Sequence, residues 1–457
     1  MNREIRLSQC MIVKNEEKNM ERALSWGREI MYEQIVVDTG STDQTVEIAK
    51  RMGAKVFHFP WIDDFSAAKN YAIEQARGNW IAFLDADESY SKQDADKIPG
   101  ILHDIEQNFN AKTKPHMIRS AMLCLRDDGT VLASYFQDRI FRNLNHLRYH
   151  NRVHEALGFP LGVSDPLIYY DATKDLTILH TGYTASTYQD TDKAERDIQL
   201  LRMELEKNPN DVMLLRYLGD ALNSVGRQEE SEAIYERAVE LGIANMPQDA
   251  GPWILYNLMQ HIYTRNNPEE ELKLQQRYEQ AEELAEGYPD FNYIMGLWFA
   301  RRGDASRTIC HLEQALLDLD AYQGFSPLYV SGALKQVYRL LALAFIQSGS
   351  NKAATVKYAI LSLRLDKYQG DCLQILLFLL KDDPGEDAQA SGTLRILRGL
   401  YDFNLLKDKL VIHRCAQMAG FSNLADQIQQ LLTDEENQQL LRMNLESAGK
   451  GNTENYD

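Results

Sequence analysis

The residues best placed to do chemistry close the run Trp80-Ile81-Ala82-Phe83-Leu84-Asp85-Ala86-Asp87-Glu88. Apolar residues lead straight into two aspartates one residue apart, with a third carboxylate beside them. Asp-x-Asp sets two hard oxygen donors side by side, which suits Mg²⁺ or Mn²⁺ carrying a diphosphate. Spacing alone is a weak signal. It recurs at Asp94/Asp96, Asp190/Asp192 and Asp318/Asp320, and such aspartates more often cap helices or close turns. Position decides: a short apolar run bounded by polar residues fits a strand buried on both faces of a parallel sheet. Open α/β sheets hold their ligands at the carboxyl ends of such strands.

The elements around this run alternate in the same sense. Ile5 to Val13 reads as a first strand and Glu16 to Gly27 as a helix with Met20, Ala23 and Leu24 inward. Gln34 to Val37 is a second strand, ending in Asp38-Thr39-Gly40-Ser41-Thr42-Asp43, and a helix follows through Val46, Ile48, Ala49 and Met52. Lys55 to His58 is a third strand, and residues 66–76 are a further amphipathic helix that Gly78 ends. Strands spaced by helices of this length imply βαβ units and a parallel sheet. Beyond residue 115 the pattern becomes β-type runs with turns, read as antiparallel strands appended to that sheet. Asp38 and Asp85/Asp87 therefore fall at strand ends on one sheet edge. The loop after Asp38 has one glycine and no lysine, so it is neither a P-loop nor a GxGxxG dinucleotide loop.

Three stretches together carry a resemblance: Val36-Val37-Asp38-Thr39-Gly40-Ser41-Thr42-Asp43, Asp64-Phe65-Ser66-Ala67-Ala68-Lys69-Asn70 and Leu84-Asp85-Ala86-Asp87-Glu88. In order and spacing they closely resemble the family 2 glycosyltransferases of GT-A fold. Val153-His154-Glu155 and Leu179-His180-Thr181-Gly182-Tyr183 extend the likeness to a branch with a tetratricopeptide C-terminus. Within that branch the chain looks like the enzymes that glycosylate small bacterial peptides, including on cysteine sulfur. The resemblance covers about the first 185 residues well and the rest by architecture only.

It implies an inverting, metal-dependent transfer from a UDP-sugar. Asp38 would contact the base and Asp85 the ribose or the metal, while Asp87 and His180 would ligate Mn²⁺ or Mg²⁺. Asp43, Lys69 and Tyr183 would border the nucleotide. Arg139 and Arg142, or Arg148 and Arg152, would face phosphate oxygens, which suit guanidinium forks. The wider family often places a Glu-Asp pair ahead of a helix as base. No clear Glu-Asp stands in that region here, which leaves Glu155 as the candidate for taking the acceptor's proton. For each residue a structural role is the competing reading: a satisfied core histidine, surface arginines, a carboxylate bonded to backbone.

From residue 186 helix formers dominate and a degenerate repeat emerges. Leu218, Gly219, Gly226, Tyr235 and Ala238 stand at tetratricopeptide offsets; Gly296, Gly303 and Ala315 repeat them, as do Ala342, Gly349, Ala354 and Tyr358. Stacked helix pairs leave a concave face for a peptide or another subunit. The expected architecture is thus α/β plus all-α. A GT-A domain with a Rossmann-like mixed sheet spans 1–185, a tetratricopeptide-like solenoid 186–380, and helices with a polar tail 381–457.

The totals bound the rest. A net charge of −18 argues against a nucleic-acid partner or a polybasic membrane anchor. The five cysteines form no CxxC pair and read as free thiols, and the most apolar later run, Leu373 to Leu380, is too short to span a bilayer. The expectation is a cytoplasmic enzyme with a nucleotide-sugar donor and a peptide or protein acceptor, with room for a homodimer through the repeats. Two other readings stay open: transfer to a cell-surface polysaccharide or lipid-linked glycan, and a non-catalytic tetratricopeptide interaction protein.

Overall fold

In the computed structural model, the structure describes residues 4–126, 128–159, 166–181, 191–244, 246, 250–324, 328–381 and 386–438. The apolar runs expected as strands form β1 (Leu7–Val13), β2 (Glu33–Asp38), β3 (Lys55–His58) and β4 (Trp80–Phe83). β1 pairs in parallel with both β2 and β4, and β2 with β3. Every residue of β4 is buried, as a strand covered on both faces requires. Between the strands lie α1 (Met20–Ser25), α2 (Thr45–Arg51) and α3 (Phe65–Gln75). Asp64 caps α3 by accepting from Ala67 N at 2.8 Å. The first helix is shorter than its periodicity predicts. Thr45 Oγ1 accepts from Glu16 N at 2.7 Å and Asn15 is left-handed at φ 57, so side-chain bonds hold this stretch out of the helix.

β5 (Glu88–Tyr90), α4 (Lys92–Ala95) and α5 (Ile98–Asn108) precede β6 (Met117–Leu125) and β7 (Val131–Arg142). β7 adds to the β4 edge of the parallel set and is antiparallel to both β4 and β6, as expected of strands appended to that sheet. β8 (Arg148–His150) and β9 (Ala156–Gly158) form a separate antiparallel pair. β10 (Tyr169–Asp171) and β11 (Thr177–His180) run parallel to β6, where antiparallel strands were expected. The path is β3-β2-β1-β4-β7-β6-β11-β5, with β10 beside β6. Because β11 also pairs antiparallel with β5, His180 lies opposite Glu88, next to Asp87.

The sheet buries both faces. Trp80, Leu102, Ile105 and Ile178 pack on one, and Ile35, Ile73, Phe83, Phe141 and Tyr149 on the other. Met20, Leu24, Ile48 and Ala49 form a third cluster under α1 and α2.

The remainder is helical: α6 (Thr191–Lys207), α7 (Val212–Ser224), α8 (Gln228–Leu241), α9 (Ala250–Arg265), α10 (Glu271–Leu284), α11 (Pro289–Arg301), α12 (Ala305–Ala321), α13 (Tyr329–Gly332), α14 (Leu334–Ser348) and α15 (Lys352–Leu365). α16 (Gly370–Leu380), α17 (Glu386–Leu397), α18 (Leu406–Ala419) and α19 (Ser422–Gln430) follow. The residues read as repeats fall on packed pairs: α7 with α8, α11 with α12, and α14 with α15. The chain divides into two compact units, one reaching to Ile254 and the other running from Leu255. Among the described residues no helix is long and apolar enough to cross a membrane.

Candidate active site

Parallel pairing sets the geometry. Val13 lies opposite Asp38 and Cys10 opposite Phe83, so the residues after β2 and β4 emerge on one edge. The Asp38 carboxylate accepts from Ser41 N at 2.9 Å and Gly40 N at 3.3 Å, and lies 3.2 Å from His58 Nδ1. Burial alone would raise its pKa; the hydrogen bonds from Ser41, His58 and Gly40 outweigh that and hold it below the usual carboxylate range.

Asp85 begins a chain of ion pairs. Arg139 Nη2 lies 2.9 Å from Asp85 Oδ2 and also binds Glu88, whose other oxygen accepts from Asp85 N at 3.1 Å. Lys69 Nζ lies 3.7 Å from Asp85 Oδ1 and pairs closely with Glu155. The Lys69 side chain is only 4% exposed and sits 5.5 Å from the Phe83 ring centre and 5.2 Å from that of Tyr149. Burial works against the Asp85 carboxylate, yet Lys69 and Arg139 drive its pKa down to about 2. Burial likewise disfavours the Lys69 cation, and the Asp85 and Glu155 carboxylates raise its pKa regardless.

Asp87 Oδ2 stands 3.1 Å from His180 Nε2. The backbone locks this contact, since Thr181 N donates to Asp87 O at 3.1 Å and Arg22 Nη2 to the same oxygen at 3.4 Å. On the other side of the imidazole, Cys124 Sγ lies 3.6 Å from His180 Nδ1. Burial disfavours the imidazolium, but the adjacent Asp87 carboxylate more than offsets it, so the His180 pKa is raised.

Residues 8–110 match the family described as Glycosyl transferase family 2. They form a family 2 glycosyl transferase domain. A TPR repeat-containing protein of Synechococcus elongatus is 32% identical over 262 residues, covering 56% of this chain and 60% of its own. The glycosyltransferase SunS of Bacillus subtilis is 29% identical over 224 residues, 48% of this chain and 50% of its own. The chain thus spans half to three-fifths of the length of these two relatives. Staphylococcus aureus TarS, a solved structure, overlaps 56% of this chain and 49% of its own at 14% identity, with a TM-score of 0.29.

The glycosyl transferase domain contributes Asp38, Lys69, Asp85 and Asp87, while Arg139, Glu155 and His180 come from beyond its matched residues. A carboxylate and an imidazole, both metal-ligating groups, face each other at Asp87 and His180 across 3.1 Å, and this pair would hold a divalent ion. Among the described residues no group of three or more His, Cys, Asp or Glu is arranged to hold a metal. A two-ligand protein site that leaves the other positions to phosphates and water is the common Mg²⁺ arrangement. Counting Asp85, Asp87, Glu88 and Glu155 against Lys69 and Arg139, the cluster carries four carboxylates and two cations, formally −2 before His180 is counted. A dication complements it.

Not every expected residue joins. Arg142 is three positions from Arg139 on β7 and reaches away, to Glu106 Oε1 at 3.0 Å and over the Trp80 ring. Arg148 donates to Leu144 O and Leu147 O, and Arg152 to Asp63 O. Asp43 caps the start of α2, accepting from Thr45 N at 3.0 Å and Glu17 N at 3.2 Å. Tyr183 lies outside the described residues. Three residues were missed. His58 ends a strand beside Asp38, and that position was its only signal. Glu88 was noted as a third carboxylate but not placed, and Cys124 lay in a strand with nothing to mark it.

Proposed function

We propose that this protein is a metal-dependent inverting glycosyltransferase that moves a sugar from a UDP-sugar to a peptide or protein side chain. The observation that carries this is the Asp87–His180 donor pair on the sheet edge that also presents Asp38 and Asp85. The glycosyl transferase domain and the relative named glycosyltransferase SunS support the activity. The acceptor class rests on the resemblance drawn from the sequence, with the helical pairs as its binding face. On this reading residues 1–185 are the donor-binding GT-A domain, 186–380 the tetratricopeptide-like repeats that help hold the acceptor, and 381–457 the C-terminal segment.

Asp87 and His180 would hold Mn²⁺ or Mg²⁺, which when bound stabilises the negative charge of the departing diphosphate. Asp38, oriented by Ser41 and His58, accepts from the nucleobase. Asp85, fixed between Lys69 and Arg139, accepts from the ribose. Glu155 takes the proton of the acceptor's hydroxyl or thiol as that atom bonds to the anomeric carbon and the carbon–oxygen bond to diphosphate breaks. Lys69 fixes where the Glu155 carboxylate sits, and the buried Arg139–Glu88 pair keeps Lys69's other partner, Asp85, in place.

The test is to incubate the full chain with Mn²⁺ and a panel of UDP-sugars, measure UDP release, and then offer peptides encoded near its gene. A hexose-sized mass gain on a peptide is the expected result. UDP release with transfer only to glycans would shift the acceptor class. No release from any donor would leave the interaction-protein reading.

A further inference from the structure

Glu155 sits at the end of a five-residue loop, 151–155, that joins β8 to β9. Two of its residues, Asn151 at φ 71 and His154 at φ 51, are left-handed without being glycine. Such residues persist where surrounding structure over-determines them, and they concentrate at functional loops. The near side of the loop is held by α3. Ser66 Oγ donates to Asn151 O at 2.5 Å, Phe65 N donates to Arg152 O at 2.9 Å, and Asn70 bonds Tyr149 in both directions at 2.9 Å.

The far side is held by the helical region. The His154 ring lies flat on Tyr217 of α7, with centroids 4.0 Å apart and planes 5° from parallel. Arg152 Nε lies 3.1 Å from Glu204 of α6, whose side chain is buried. Two different helices thus grip consecutive parts of one loop, within the same compact unit. Both helices are themselves fixed: Asp211 caps α7 by accepting from Leu214 N at 3.0 Å, and α6 packs along α7.

We infer that Tyr217 is a positioning residue for Glu155, acting through His154. The helical region then serves the reaction directly, beyond holding an acceptor. Removing the ring from under His154 frees the left-handed turn immediately before Glu155, while α3 continues to hold residues 149–152. The Tyr217 ring meets His154 and the Arg216 guanidinium, whereas the donor side is held by other groups: Asp38 by Ser41 and His58, Asp87 by His180 and Thr181. The inference rests on the glycosyltransferase reading for its kinetic consequence and on the loop alone for its structural one.

The test uses the full chain with Tyr217→Leu and Tyr217→Phe. Amide hydrogen exchange in the absence of substrate should rise about tenfold over residues 153–157 in Tyr217→Leu, with β1, β2 and β4 unchanged. Turnover should fall about 10–100-fold, the range expected when a reacting group is displaced by about an ångström. The KM for donor should stay within about twofold, and Tyr217→Phe, which keeps the stack, should restore both exchange and turnover. Unchanged exchange and turnover in Tyr217→Leu would overturn the inference. So would a Phe variant as impaired as the Leu variant, which points to the hydroxyl instead. If the wild-type chain releases no UDP, the glycosyltransferase reading fails on its own, and the exchange measurement still decides whether Tyr217 orders the loop.

Discussion

Ninety-three residues separate Asp87 from His180, and neither side chain alone would bind a divalent ion. Their effect comes from being brought together on a backbone that leaves little freedom: β5 and β11 pair around them, and Thr181 N closes on Asp87 O. Asp87→Ala and His180→Ala should therefore each abolish Mn²⁺-dependent UDP binding in a calorimetric titration and lower turnover by at least about 10²-fold. A loss of several kcal/mol of charge stabilisation implies that much. Glu155→Gln should behave differently. Lys69 retains Asp85 as a partner at 3.7 Å, so UDP binding should persist while kcat drops by about 10²–10⁴. Equal losses of binding and turnover in Glu155→Gln would instead make that carboxylate part of the donor site.

Elements explain which of these residues were legible beforehand. Asp38, Asp85 and Asp87 follow apolar runs, and a buried strand announces the edge at which it ends. His58 and Glu88 were harder, because a histidine or glutamate at a strand boundary looks the same whether it faces solvent or a neighbouring carboxylate. Arg142 went wrong for a geometric reason. It is three residues from Arg139, so a strand's alternation sends the two to opposite faces, and only the observed extent of β7 fixes that phase. In the helical region the repeat offsets were readable because small residues mark close approaches. Gly219 is one: a Cβ there would come within 2.3 to 2.8 Å of the Tyr235 ring. Gly219→Ala should accordingly force α7 and α8 apart and destabilise the fold by about 1–3 kcal/mol, the usual cost of overpacking. A lowered denaturant midpoint with unchanged slope is the expected signature.

At the scale of the whole molecule, the acidic balance of −18 gives no hint of which carboxylates matter to stability, because most are solvated. Asp290 is an exception in the second compact unit. It is 1% exposed and accepts from Tyr329 N at 2.9 Å and Val330 N at 2.8 Å, tying α11 to the start of α13. Burial raises its pKa from 3.8 to about 6 despite those two bonds. The folded chain then holds a proton between pH 3.8 and 6 that the unfolded chain releases. The associated stability is fully present below the lower value, is lost as pH rises toward the upper one, and changes no further above it. Asp290→Asn cannot ionise, so it escapes this loss while giving up part of the backbone contact at every pH. The difference in unfolding free energy between the two proteins should accordingly shift by about 1.5 kcal/mol in the variant's favour between pH 5 and pH 7. Denaturant melts of both proteins at the two pH values measure it. A pH-independent difference would show that the two backbone donors keep Asp290 ionised in the folded chain even at pH 5.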